Sequence, residues 1–269
     1  MLHDIIVVRS GGDIGTAVAH KLFRSGFRVV ITEISEPLAI RRRVAFCEAV
    51  FDGEMTVEGV RCRKISSIGE AEFCFKENII PLIVDEAGSV IDELKPSIVI
   101  DAILAKKNIN TKRSMAPMTI GLGPGFTVGV DVHAVIETNR GHDLGRIIYE
   151  GSAERNTGIP GIIMGYGGER VLRASANGKV KVVKGIGELV DKDEVIMLVG
   201  EAEVRTQIAG VVRGCIRDGV HVPKDMKIGD VDPRGVLSNC STISDKARCI
   251  AGGVLEAVMN HLNFNRMHT

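Results

Sequence analysis

Six residues near the start of the chain, Ser10-Gly11-Gly12-Asp13-Ile14-Gly15, have the make-up of a phosphate-binding turn. Small residues between a strand and a helix let backbone N–H groups and the positive end of the helix approach an anion. Gly12 and Gly15 fit the second and third glycines of G-x-G-x-x-G, with Ser10 in place of the first. Glu33, ending the next apolar run, stands where an acid accepts hydrogen bonds from a ribose. The residues read either as a site for a nucleotide or phosphate-bearing pterin, or as a core whose loop is only structural. Arg41-Arg42-Arg43 could clamp phosphate, Arg42 foremost, or form a solvated helix face. Glu33 argues against a 2′-phosphate and the arginines argue for one. Asp101 lies in the run Ile98 to Ile103, where a parallel strand points at the ligand edge, and Arg140 and His142 occupy a later turn. Cys240 falls just before an expected helix N-terminus, a position that stabilises a thiolate; the alternative is a packed small residue.

The elements that position these residues follow from periodicity. Ile5-Ile6-Val7-Val8 reads as a buried strand, Ile14, Ala17, Val18, Leu22 and Phe23 as one face of a helix stopped by Gly26, and Val29-Val30-Ile31 as a second strand. Met55 to Ile65 predicts a small hairpin, and Ser67-Ile68-Gly69-Glu70 a capping box before a short helix. Strands are expected at Ile79 to Val84, Ile98 to Ile103 and Thr119 to Leu122, with a helix ending near Lys95-Pro96. Strands alternating with helices predict an α/β fold with a Rossmann-like doubly wound sheet. Alternation over 128–146 puts Asp131, His133 and Glu137 on one strand face. At about 3.3 Å per residue that set spreads over roughly 20 Å, so no metal site is expected.

From Gly178 the pattern changes to short strands and turns. Gly187, Val190, Asp193 and Ile196 recur as Gly219, Val222, Asp225 and Ile228, each offset by 32. The repeat resembles the two half-motifs of biotinyl and lipoyl barrel-sandwich domains. No lysine occurs from Glu194 through Pro223, so a covalently carried group is not expected there. The expected organisation is a Rossmann-like cofactor-binding domain over 1–150, an appended or inserted barrel-sandwich-like β domain over 151–235, and a C-terminal helix over 236–262 returning to the first domain. Thr242 or Ser244 caps that helix, and the tail 263–269 is expected to fray.

The 34 basic residues balance the 34 acidic ones, which gives no global field for nucleic acid or an anionic membrane. None of the six cysteines forms a C-x-x-C pair, so reduced thiols are expected. The first residues lack the character of a signal peptide, and runs such as Ile79-Ile80-Pro81-Leu82-Ile83-Val84 are too short to span a bilayer. The expectation is a cytoplasmic protein.

Taken in order, Ser10–Ala17, Glu33 with Arg41-Arg42, Glu137–Gly145, Lys227–Arg234 and Thr242–Arg248 resemble the YqeB-type accessory proteins, named for selenium-dependent molybdenum hydroxylase systems. More distantly the chain is similar to the Rossmann-containing maturation factors of xanthine dehydrogenase. The resemblance implies a protein that matures or inserts a molybdopterin-type cofactor, with a hydroxylase subunit as partner; for such a task the thiol chemistry of Cys240, a soft nucleophile and soft metal ligand, makes it the candidate for sulfur or selenium transfer. From the residues themselves, an NAD(P)-dependent oxidoreductase and a non-catalytic module docking a hydroxylase stay open.

Overall fold

The computed structural model describes the backbone from residue 5 to residue 268 and side chains up to residue 263. The chain's first four residues and nearly all of the tail expected to fray thus lie outside the described side chains. The chain divides into two compact units: 1–37, 45–156 and 243–269 form the first, and 38–44 with 157–242 form the second.

In the first unit, strands β1 (Ile5–Arg9), β2 (Arg28–Glu33), β3 (Glu54–Val57), β4 (Val60–Ile65), β5 (Ile79–Val84), β6 (Ile98–Asp101), β7 (Met118–Leu122), β8 (Ala134–Ile136) and β9 (Ile147–Ile148) make one sheet. Its order is β3-β4-β5-β2-β1-β6-β7-β8-β9. The pairs from β4 to β8 are parallel, and β3 and β9 add antiparallel edges. Helix α1 (Asp13–Arg24) buries Ile14, Ala17, Val18 and Leu22. It ends where Gly26 turns to φ +90° and the Phe27 N–H returns to the Leu22 carbonyl. Short helices α2 (Ala49–Asp52), α3 (Ala71–Lys76) and α4 (Val90–Leu94) follow, and α5 (Asp245–His268) packs along α1 and meets β8 and β9. Val7, Val30 and Val99 pack with Ile91 of α4 and Ala116 on one sheet face. The capping box of Ser67 and Glu70 is present, and Ser244 Oγ accepts the Ala247 N–H at the start of α5.

In the second unit the strands are β10 (Val171–Arg173), β11 (Gly178–Val182), β12 (Leu189–Val190), β13 (Val195–Val199), β14 (Ala202–Arg205), β15 (Gly210–Cys215), β16 (His221–Val222) and β17 (Lys227–Asp232). They form two four-stranded antiparallel sheets, β10-β17-β15-β12 and β14-β13-β11-β16, over a core that includes Ile196, Val211, Val212, Ile216 and Ile228. The sequence repeat is structural. Asp193 and Asp225 share φ values of +65° and +66°, Gly178 and Gly210 share +157° and +158°, and Ile196 and Ile228 are fully buried. The halves interleave, because β12 pairs with β15 of the second repeat and β16 with β11 of the first.

These observations correct the expected fold class. The large sheet is mixed rather than a doubly wound parallel one, and its connections beyond β6 contain no α-helix among the described residues. The segment after β6 could not form one: Leu104 and Lys106 sit at φ +58° and +63°, outside the helical region. The second unit is two separate sheets, not a biotinyl-like barrel-sandwich. Strands β12 and β16 pair over two residues each, too few to close a barrel. The strand expected through 128–146 shrinks to β8, because Gly129 turns the chain at φ +84° and Glu137 ends the pairing.

Candidate functional site

The carboxyl ends of the parallel strands gather Ser10–Gly15, Glu33 and Asp101 at one edge of the first unit. Ser10 adopts φ +80°, so the turn keeps the backbone that a glycine would favour while using a serine. Its N–H bonds the Thr32 carbonyl at 2.8 Å. The three glycines differ in what demands them. A Cβ at Gly15 would lie 2.0 Å from the Ser10 carbonyl oxygen, and one at Gly11 2.9 Å from the Cys47 nitrogen. A Cβ at Gly12 would meet nothing nearer than the Ser10 Oγ at 3.7 Å. The fold therefore dictates glycine at 11 and 15 but not at 12. Gly12 is also the N-cap of α1 and provides no side-chain cap bond. An open backbone at an uncapped helix start suits the close approach of an anion.

Glu33 is buried and already engaged. Its Oε2 accepts the Gly11 N–H at 2.8 Å and the Ser10 hydroxyl at 3.1 Å, and its Oε1 accepts the Ile34 N–H at 2.9 Å. Burial pushes its carboxyl above the usual value, and the bonds from Ile34, Gly11 and Ser10 offset part of that rise. Glu33 thus holds the turn in shape, with limited capacity left for a ribose. Cys47, behind the turn, is a neutral thiol: burial, Glu33 and Glu48 push it well above its ordinary value.

Asp101 belongs to a buried network at the ends of β1 and β6. Its Oδ2 accepts the Thr111 hydroxyl at 2.5 Å and lies 3.6 Å from Arg9 Nη1. Arg9 donates to Thr111 Oγ1 and to Asn110 Oδ1, the latter at 2.6 Å. Burial lowers the Arg9 guanidinium from its ordinary value, while Asp101 and Asp85 raise it. Sequence reading missed Arg9, Asn110 and Thr111. The signal was a charge closing the apolar run Ile5–Val8 directly before the turn.

The other expected site residues lie elsewhere. Arg140 makes a two-pronged bond to Asp245 at 2.8 and 2.9 Å, tying the loop after β8 to the first residue of α5. That loop follows a strand three places from β1, roughly 14 Å across the sheet. His142, in the same loop, is exposed. Asp131 accepts the Thr127 N–H, His133 Nδ1 meets Thr119, and Glu137 accepts the N–H groups of Thr138, Asn139 and Glu154, so these three serve separate local bonds.

Arg42 and Cys240 belong to the second unit. Arg42 Nε donates to the Cys215 carbonyl at 2.9 Å, and Arg41 to the carbonyls of Asn239 and Thr242 at 2.9 and 2.8 Å. Arg41 and Arg42 thus fasten the segment 38–44 into this unit, while Arg43 is exposed. Cys240 corrects the thiolate expectation. It ends a 3-10 turn, Leu237–Cys240, well ahead of α5, and is fully buried with Sγ 3.8 Å from the Val212 carbonyl. Burial raises its thiol above the ordinary value, with Arg43, Arg213 and Arg41 lowering it by less. A neutral, enclosed thiol does not act as a nucleophile. The segment Lys227–Arg234 supplies two buried carboxylates with ion pairs: Asp230 pairs with Arg170 at 2.9 Å and Arg213 at 3.0 Å, and Asp232 with the partly exposed Arg234 at 2.6 Å.

No helix among the described residues is long and apolar enough to cross a membrane. No family model matches the chain. Over most of its length it superposes on solved structures only loosely. An ectoine utilization protein, EutE (DoeB), from Ruegeria pomeroyi has TM-score 0.26 and 9% identity over 86% of this chain and 85% of that one. An aspartoacylase family protein from Mesorhizobium loti has TM-score 0.27 and 6% identity, and a succinylglutamate desuccinylase/aspartoacylase from Rhodobacter sphaeroides 0.27 and 13%, each over 86% of this chain and 85% of the other. Likeness at that level carries no argument about chemistry. In sequence, the chain is 52% identical over 257 residues to the uncharacterized protein YqeB of Escherichia coli (strain K12), covering 96% of this chain and 48% of that protein. The chain spans about half the length of this relative.

Proposed function

We propose that this chain handles a cofactor, holding a phosphate-bearing pterin or nucleotide at the turn Ser10–Gly15, and that it serves the maturation or insertion of a molybdopterin-type cofactor in a selenium-dependent molybdenum hydroxylase. The observation that carries the ligand reading is Gly12, a glycine that packing does not require, placed at the uncapped start of α1. The buried Arg9, Asp101 and Thr111 network fixes the neighbouring strand ends, so the turn is held in place before any ligand arrives. The hydroxylase partner rests on the family resemblance. A role for Cys240 in transfer is not carried forward, because its thiol is enclosed.

Native mass spectrometry of the protein purified without oxygen tests this reading. A co-purifying pterin species, lost in Gly12→Val while the fold is retained, is the expected result. NAD(P) bound in its place would make the chain an oxidoreductase candidate. Undiminished ligand binding in a folded Gly12→Val protein would overturn the assignment to this turn.

A further inference from the structure

A groove lies beside the later turns of α1, away from its glycine turn. Ala17, His20, Lys21 and Arg24 recur at i, i+3, i+4 and i+7 and so share one helix face. That face and α5 enclose a groove of about 290 Å³, to which α5 contributes Arg248 and Leu255, and Ile243 just before it adds an apolar wall. Four nitrogen bases therefore meet in one depression. Glu58 is the carboxylate that answers them, and it is already spent: it accepts the Ile243 N–H at 2.9 Å and the Arg248 guanidinium. Lys21 and Arg24 have no ion-pair partner among the described residues.

Two further observations concern the helices that line the groove. His20 Nε2 is buried without a hydrogen bond of ordinary geometry, and the ring is held beside the Glu58 carbonyl. A lost partner of this kind costs free energy unless something supplies it. The second is Gly252, which falls between Arg248 and Leu255 at i+4 on the same face of α5. A Cβ there would meet nothing within 4 Å, whereas one at Gly253 would lie 2.0 Å from the Gly145 carbonyl oxygen. Mid-helix glycine is about 1 kcal/mol less favourable than alanine. Packing accounts for Gly253 and not for Gly252.

We propose that the α1–α5 groove binds a small organic phosphate, with Lys21, Arg24 and Arg248 facing the phosphate, Ile243 and Leu255 facing its apolar part, and the neighbouring His20 ring taking up a proton. Burial lowers the His20 ring below its ordinary value, against the pull of the Glu58 carbonyl and carboxylate, and Arg24 and Arg248 lower it further. The free protein thus holds His20 neutral near pH 7. An anion beside it favours the charged form, so binding and protonation are linked.

Phenyl phosphate is the probe, with inorganic phosphate as its head group alone, and the His20 ring resonances of the full chain are the readout. Saturating phenyl phosphate is expected to raise the His20 titration midpoint by about one unit, corresponding to about tenfold tighter binding to the protonated form. Inorganic phosphate should bind more weakly, and Lys21→Glu with Arg24→Glu should weaken both at least tenfold. Gly12→Val should leave the response intact, which separates this groove from the glycine turn. His20 resonances unmoved by millimolar phenyl phosphate, or equal binding in the doubly reversed variant, would overturn the proposal.

Discussion

Substituting Gly15 by alanine tests how the turn is built. The added methyl would sit 2.0 Å from the Ser10 carbonyl oxygen, 3.0 Å from its carbonyl carbon and 3.2 Å from the Ala102 Cβ. Ordinary contact begins at 3.4 Å, so turn and helix must part by more than an ångström. The obstacle is main chain and cannot rotate aside; Ser10 is also tied to the Thr32 carbonyl at 2.8 Å. Overpacking by one methyl costs about 1–3 kcal/mol, and a main-chain displacement belongs at the upper end, about 3 kcal/mol. For a unit of this size that lowers the melting temperature by about 6–12 °C. Gly12→Ala adds the same methyl three residues earlier, where its nearest neighbour is 3.7 Å away. It should cost about 1 kcal/mol or less, the ordinary penalty of alanine at an N-cap. Thermal melts followed by circular dichroism, with urea titration for the free energies, measure both. If Gly15→Ala melts no lower than Gly12→Ala, the division of the glycines into packed and open is wrong, and with it the argument for a ligand at Gly12.

Three other outcomes follow from the geometry. Burial alone would raise the Asp232 carboxyl, but Arg234 and Arg213 hold it at about 2 against an ordinary 3.8. A depressed carboxyl stabilises fully above its unfolded value and loses that contribution, about 2 kcal/mol, as pH falls from about 4 to about 2. Urea melts should show wild type losing about that much more than Asp232→Asn over this window, and parallel losses would refute it. Arg9→Met strands the Asp101 carboxylate in the interior and should cost about 3–5 kcal/mol in urea; a loss under about 1 kcal/mol would mean the pair is not the clamp described. A thiol-labelling reagent should modify Cys249 well ahead of the five buried cysteines, and early labelling of Cys240 would restore it as a reactive group.

Local chemistry was readable from the sequence where short-range physics decides it. The strand–turn–helix opening, the Met55–Ile65 hairpin, the Ser67–Glu70 capping box and the Ser244 cap depend on neighbours in the chain, and each is found. Side-chain fate depended on partners far away. Arg42 reaches Cys215, Arg140 reaches Asp245, and Cys240 packs under Val212, and in each case the partner lies on an element whose position periodicity does not give. The repeat was visible, but its pairing was not: identical half-patterns leave open whether β12 joins its own half or the other, and it joins the other. Glu33 sat where a ribose-binding acid sits, yet the hydroxyl of Ser10, present because the first glycine is missing, draws its carboxylate into the turn.

Both units are discontinuous along the chain, and this constrains how the protein is made. Leu38–Val44 leaves the ribosome long before Thr157, the next residue of its unit, and α5, which packs along α1, emerges only after the whole of the second unit. At about 5–20 residues per second, the segment carrying Arg41 and Val44 waits on the order of 10 s for the strands that will bury it. Neither unit can close until its later segment has emerged, so the nascent chain carries apolar surface over that interval. Its yield in a cell should therefore depend on elongation speed and on chaperones that shield such surfaces, more than the stability of the finished fold would suggest.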